Sequence, residues 1–321
     1  MDDRRRPRRV ARPHLQPDKG RGLADRVGIP VAQDTRGRLH ARAAIDTVPP
    51  PYEGHKPLRC GGCTVGVVGT RSHPRRIPGG GVTQVMAHYA VTKYGEHDPG
   101  CRYDFKNRAE RLIEDSRGTV VREGDIYELR LPDPHKIEPS DRLPASKAGR
   151  PQARLQVSTS DRMLTPALGS AARIVRLLRE FDDDSDAARR FRARYAARKI
   201  TWARFCRSTK EATLIASQLG EPIASQYPLA LHGTVGTVGP AGGGGTHQLH
   251  DDQETYLDRA DGTRRLRVVV RTKNADTFDQ MKRGDRWLGY GHWRLWIAAR
   301  APIAEIQMWI DGPWSLATWR D

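Results

Sequence analysis

The sequence predicts an α+β multidomain protein: a small β-rich module held by a metal, a three-helix segment, and a C-terminal β-barrel. Three observations predict it. Two pairs of metal-ligand residues fall among short alternating segments, the middle of the chain takes up helical spacing, and the last third returns to alternation. The 321 residues suffice for two or three domains, but only 37% are hydrophobic, so each core is small and a staple is expected.

Charge narrows the partners. Lys and Arg number 55 against 38 Asp and Glu, a formal net charge of +17, a balance that favours nucleic acid or an anionic membrane surface. An Arg-rich composition gives the same balance with no partner at all. No run approaches the roughly 18 to 20 apolar residues that span a bilayer, and "MDDRRRPRRVARPHLQPDKGR" lacks the apolar core of a secretory signal. A cytoplasmic location is therefore the expectation. Disulfides are rare there, so closely spaced cysteines bind metal or do redox chemistry.

Residues 1–48 mix Arg, Pro, Gly and Asp without a sustained period and read as a flexible basic arm. Residues 49–132 read as the metal module: short strands, a helix near "NRAERLIEDSRG", and a hairpin in "GTVVREGDIYELRLP" with "EGD" as its turn. Residues 133–160 read as a Pro/Ser/Lys/Gly linker.

Residues 161–222 form the helical segment. Leu168, Ala171, Ala172, Val175, Leu177 and Leu178 recur at helical spacing, with Thr165 as cap and Pro166 in the first turn. "DDDSDAARRFRARYAARK" has acids first and bases last, matching a helix dipole. "STKEATLIASQLGEP" opens on Ser208 with Glu211 three residues on and stops at Gly220 and Pro222. The run "KITWARFCRSTKEATLIASQLGE" also has a helix-turn-helix cadence, which any three-helix bundle shares.

The chemistry concentrates in four residues. Cys60-x2-Cys63 puts two thiols on a tight turn through Gly61 and Gly62, and His97-x3-Cys101 adds an imidazole and a thiol around Pro99-Gly100. Three thiolates and one imidazole make a closed tetrahedral set for a structural zinc ion. A redox pair fits less well, because "TVGVVGTRSHPRRIPGGG" after Cys63 has no helical face. His88, His55 and His73 are lesser ligand candidates, and Cys206, among aromatics, reads as a core thiol. The series "GRLHARAAIDTVPPPYEGHKPLRCGGC", "AHYAV", "HDPGC", over about residues 38–105, resembles the cysteine-knuckle module of CoiA-type competence proteins and related mobile-element proteins. That resemblance implies the zinc knuckle and raises a restriction-like nuclease further along the chain.

Residues 223–321 carry the barrel. In "RRLRVVVRTK" Leu266, Val268 and Val270 share one face, while Arg265, Arg267, Arg271 and Lys273 share the other with Val269. In "AEIQMWIDG" Ile306, Met308 and Ile310 point inward, with Glu305, Gln307 and Trp309 outward. Strand, strand, short helix with Phe278 and Met281 inward, a Lys282-Arg283-Gly step, strand, strand is the order of an OB-like β-barrel. The segment "NADTFDQMKRGDRWLGYGHWRLW", with "LALHGTVGTV" upstream, resembles bacterial single-stranded DNA-binding proteins over about residues 226–321. Six of the seven tryptophans lie after residue 286. Trp287 and Trp314 are expected in the core; Tyr290, Trp293, Trp296 and Trp309 are the stacking candidates.

No serine triad, phosphate loop or dinucleotide fingerprint is visible. Asp285 with Glu305-Ile306-Gln307, and Asp125 with Glu128-Leu129-Arg130, echo a metal-dependent nuclease but lack its Lys. The expectation is a non-enzymatic protein that holds single-stranded DNA or RNA. The alternatives are a mobile-element adaptor whose barrel binds a protein, and the nuclease.

Overall fold

The computed structural model describes residues 27–76, 80–131, 159–181, 185–220, 227–241, 245–299, 301–310 and 315–320. The chain is mostly β-sheet with a few helices, and among the described residues no helix is long and apolar enough to cross a membrane.

The first sheet joins β1 (Val31–Gln33), β2 (Leu39–Ala41), β3 (Leu58–Cys60), β4 (Gly66–Thr70) and β7 (His88–Val91) in the order β2-β1-β3-β4-β7, with β5 (His73–Arg76) and β6 (Val82–Val85) as a separate hairpin. Strands β1 and β2 lie inside the stretch expected to be a flexible arm. Residues 27–48 are ordered because Ile29, Ala32 and Ile45 bury in the core and β1 pairs with β3, a non-local gain that local composition does not reveal. Asp34 starts the β1–β2 turn by accepting the Arg36 and Arg38 amides, and Gly37 takes the φ of +80° that the turn needs. The arm's residues 1–26 lie outside the described residues.

The second sheet follows α1 (Phe105–Asp115), which Asp104 caps through the Asn107 amide. It contains the expected hairpin, β8 (Val120–Glu123) and β9 (Ile126–Leu131), turning at Gly124. Helix α2 (Thr159–Glu180) crosses over to β10 (Phe191–Tyr195), which runs parallel to β9, and β11 (Arg198–Thr201) completes the order β11-β10-β9-β8. Leu168, Ala171, Val175 and Leu178 bury where helical spacing put them. Thr165 is not the cap, however, because α2 starts at Thr159 and Pro166 lies inside it. Of the linker expected at residues 133–160, residues 133–158 lie outside the described residues, and Thr159 and Ser160 already belong to α2.

The second expected helix is a correction. After one turn, α3 (Ser185–Ala188), the chain becomes β10 and β11. Phe191, Ala193 and Tyr195 are buried while Arg192 and Arg194 face away, so the apolar period is two, and burial of three side chains outweighs the helix propensity of Arg and Ala. Among the described residues no three-helix bundle or helix-turn-helix forms. Instead α4 (Trp202–Phe205) is a single turn and β12 (Cys206–Ser208) pairs with the third sheet. Ser208 caps the 3-10 turn Thr209–Glu211 that enters α5 (Ala212–Leu219), and Gly220 ends it.

The third sheet has β13 (Leu229–Ala241), β14 (Thr246–Arg259), β15 (Gly262–Thr272), β16 (Arg286–Gly291), β17 (Arg294–Ile297), β18 (Ile303–Ile310) and β19 (Leu316–Trp319) in the order β17-β18-β15-β14-β13-β16-β19. β18 runs parallel to β15, and β13 is long enough to pair with both β14 and β16. The expected barrel is not closed by hydrogen bonds. Between β16 and β18 the seam is packing: a Cβ on Gly291 would stand 2.6 Å from Met308 Sδ, and one on Gly289 2.9 Å from Met308 Cε. Glycine there lets Met308 fill the space a ladder would occupy. The expected short helix is a 3-10 turn, Ala275–Thr277, although Phe278 is buried as expected.

Two cores meet at a shared wall. Leu229, Leu231 and Trp287 face the core of the third sheet with Leu266, Val268 and Ile306. Ala230, Leu288 and Tyr290, on the opposite face of β13 and β16, join the core that runs through α2 to the first sheet. Trp287 is fully buried, and its Nε1–H donates to Asp251 Oδ2 at 3.0 Å. Asp251 also accepts the Thr234 and Gln253 amides, yet burial still pushes its carboxyl up to about 6.

Candidate metal centre and strand-binding face

Two knuckles form the metal centre. Cys60 ends β3, and the turn after it brings Cys63 back, with the Cys63 amide on the Cys60 carbonyl and the Gly62 amide aimed at Cys60 Sγ at 3.4 Å. The backbone around Cys60 and Cys63 leaves little room for a side chain at either intervening position. A Cβ at residue 61 would lie 2.9 Å from the Val31 carbonyl, and one at residue 62 would lie 3.1 Å from Cys101 Sγ. In the second knuckle the Cys101 amide bonds the Asp98 carbonyl, and the Tyr103 amide points at Cys101 Sγ at 3.4 Å. Asp98 Oδ2 ties the two together by accepting both the amide and the hydroxyl of Thr64, at 3.0 and 2.7 Å.

The result brings together all four sequence-predicted ligands. The ligand atoms of Cys60, Cys63, His97 and Cys101 lie within 4.8 Å of one another, and the set could hold a metal ion. Cys60 Sγ stands 3.8 Å from Cys101 Sγ and Cys63 Sγ 3.3 Å from His97 Nδ1. Sulfurs about 2.3 Å from a tetrahedral ion stand about 3.8 Å apart, so this edge already has the required length. Burial pushes the Cys60 and Cys101 thiols up and holds His97 below its usual range. His97 is thus neutral, as a ligand must be, and a dication would displace the thiol protons. All four cysteines of the chain are free thiols, and Cys206 is buried in the core as expected.

The second site is a face of the third sheet. Register places Gln248, His250, Glu254 and Tyr256 of β14 beside Arg271, Val269, Arg267 and Arg265 of β15. These lie beside Trp309, Gln307, Glu305 and Ile303 of β18, with Arg294 and Trp296 of β17 next. Trp296 and Trp309 are 44% and 51% exposed, and Tyr256 is exposed too. Lys273 follows Arg271 in the same phase, exposed, just past the strand end.

The arginines are held by two acids, Glu254 and Glu305. Arg265 and Arg267 both reach Glu254 Oε1, at 2.9 and 3.3 Å, and Arg271 binds Glu305 and Gln307 at 2.6 Å each. Glu305, expected outward, is only 6% exposed beneath that pair. Burial together with Arg267 and Arg271 keeps His250 neutral.

Two stacking candidates are corrected. Trp293 is buried in the barrel core, its Nε1–H on the Leu229 carbonyl at 3.2 Å, and Tyr290 is buried with its ring 6.1 Å from that of Phe205. Tyr290 lies on β16, which is covered from both sides, and Trp293 follows just past its end, in the core of the third sheet. Lys282 and Arg283 are exposed in the turn before β16 and are not part of the four strands of the face. Trp287 fills the core as expected, and Trp314 lies outside the described residues. The nuclease echoes do not assemble: Asp285 accepts the Lys282 amide and Arg320, Glu305 binds Arg271, and Glu128 is ringed by arginines. Among the described residues, the four-ligand cluster is the one group of His, Cys, Asp and Glu placed to hold an ion.

No protein-family model matches the chain, and no curated protein matches it. Solved structures align with about a third of it. The OBody AM3L09 bound to hen egg-white lysozyme is 18% identical over 32% of this chain and 86% of its own, with a TM-score of 0.20. The Stn1-Ten1 complex of S. pombe is 17% identical over 32% and 63%, at 0.18, and the SSB complex with single-stranded DNA from Plasmodium falciparum is 20% identical over 30% and 96%, at 0.19. Scores this low assign neither fold nor function.

Proposed function

We propose that the protein binds single-stranded nucleic acid on the face formed by β14, β15, β18 and β17, a sheet with the strand order of an OB barrel left open at one seam. The observation that carries this is the exposure of Trp296 and Trp309 beside a row of arginines. A ring in water offers a base a stacking platform worth roughly 1–3 kcal/mol, and guanidinium groups beside it take the phosphates. Four register positions separate the two rings along β18, about 13 Å at strand rise. Stacked bases lie about 3.4 Å apart, so the rings take non-adjacent bases. Arg265, Arg267, Arg271 and Lys273 supply the backbone contacts, and Glu254 and Glu305 hold the first three arginines in place.

In the same reading the four-ligand cluster holds zinc as a structural ion. The set is closed, three thiolates and an imidazole, with no ligand position left for substrate.

Tryptophan quenching on titration with an unstructured DNA oligonucleotide, and with an RNA of the same sequence, tests the binding. Quenching that weakens steeply with salt, and that falls in a Trp296→Ala/Trp309→Ala variant, is expected. Absence of quenching by either strand rejects this face and favours a protein partner for it.

A further inference from the structure

The second sheet carries a separate charged surface that the barrel face does not explain. One side of it packs on α1 and α2 through Tyr127, Leu129, Phe191 and Ala193. On the other side, register aligns Glu128 with Arg192 and Arg130 with Arg194, flanked by Glu123 and Lys199.

Glu128 is 1% exposed, although it is ionisable and sits on the open side of the sheet. Three guanidinium groups close over it. Arg192 donates to Glu128 Oε2 through Nε at 2.8 Å and also binds Glu123. Arg194 Nη1 and Arg130 Nε stand 3.5 and 3.7 Å from Glu128 Oε1, inside ion-pair range but beyond good hydrogen-bond length. One carboxylate therefore fixes the positions of two further arginines without taking up their donors. Their side chains are 54% exposed at Arg130 and 44% at Arg194.

We propose that Arg130 and Arg194 form a clamp for the phosphate backbone of double-stranded nucleic acid, with Glu128 as the group that positions it. Guanidinium forks match phosphate oxygens in geometry and charge. The strand residues of this face are Val121, Glu123, Ile126, Glu128, Arg130, Arg192, Arg194, Lys199 and Thr201. None is aromatic, so no base can stack, and a duplex presents the denser line of phosphates, one charge per about 1.7 Å of axis. The clamp stands independently of the barrel face.

The test compares the whole protein with an Arg130→Gln/Arg194→Gln variant, titrating labelled DNA and RNA duplexes across a salt series while following single-strand quenching in parallel. The variant is expected to lose duplex affinity at least tenfold and to lower the log–log salt slope by about two, one per cation removed, with quenching by single strands unchanged. Unchanged duplex affinity and slope overturn the clamp. An equal loss of duplex binding in the Trp296→Ala/Trp309→Ala variant also overturns it, because the duplex would then lie on the barrel. Glu128→Gln separates positioning from diffuse charge: it adds net positive charge, so a positioned pair loses duplex affinity, whereas a gain overturns the role of Glu128.

Discussion

The first and third sheets meet the same shortage of apolar residues in opposite ways. Around β1, β3 and β4 the large buried side chains are few, Ile29, Leu58, Val67 and Tyr89 among them, and the turns are fastened by four ligand atoms within 4.8 Å of one another. Around β13, β15 and β18 the core fills itself with Trp287, Met308 and a row of aliphatic residues, and its polar network is an internal one centred on Asp251. A sheet fastened by ligands fails all at once when the ion leaves; a sheet fastened by packing loses stability in steps. The difference sets the size of each expected response.

The largest response is to metal loss. Binding free energy at a structural zinc site is folding free energy, about 10–16 kcal/mol in finger peptides. Chelation, or Cys101→Ser, is therefore expected to unfold residues 27–103 while leaving the third sheet folded. Native mass spectrometry giving about one zinc per chain, and amide exchange that rises only in that segment after chelation, would support it. Purified protein carrying under half an equivalent would reverse the contrast between the sheets.

Next comes Trp287→Ala, which empties the middle of the barrel core and removes a donor to Asp251. A loss of about 3–5 kcal/mol is expected, read from denaturant midpoints. A loss below about 1 kcal/mol would mean that the barrel is not held by its own packing.

A smaller effect is in pH. The Asp251 carboxyl in the folded chain titrates at about 6, above its ordinary 3.8, so between these values the native state binds the extra proton. The sign follows: the penalty for burying the charge is complete above about pH 6 and is relieved as pH falls from 6 to 4, so stability from this group falls as pH rises. The value of about 6 already includes the lowering by the amide donors, so the net shift corresponds to about 3 kcal/mol. Asp251→Asn is expected to flatten that portion of the stability–pH curve. An unaltered curve would place the titration elsewhere.

The smallest is at the surface. Trp309→Ala alone is expected to weaken single-strand binding by about tenfold, one stacking contact, with no change in melting temperature. A melting shift would mean that the ring is structural.

The ligand set was fully legible because both pairs are local: x2 and x3 spacings place their atoms through single turns. Strands β15 and β18 were legible for a similar reason, since Leu266, Val268 and Val270, then Ile306, Met308 and Ile310, alternate cleanly and all bury. What the sequence concealed was decided at a distance. β10 and β11 read as helix because Arg and Ala favour it locally, and their strand pairing with β9 crosses α2. Tyr290 looked like a surface ring because nothing nearby announces that β16 is covered on both sides, and Trp293 because its partner, the Leu229 carbonyl, is distant in sequence. Glu254 and Glu305 gave no hint of pairing with Arg267 and Arg271, which lie on neighbouring strands. The open face of β9 and β10 was hidden with them, since Arg192 and Arg194 were assigned to a helix.

The common wall of β13 and β16 has a bearing on how the chain can be handled. Because Ala230, Leu288 and Tyr290 belong to one core and Leu229, Leu231 and Trp287 to the other, the C-terminal sheet is not a cassette. A fragment beginning near residue 227 would carry an uncovered greasy flank and lack the edge partner β12, so it is expected to aggregate unless α2 and α5 are kept with it. Breakpoints that separate α2, β12 or α5 from the third sheet, or β9 from β10, are thus excluded within this chain.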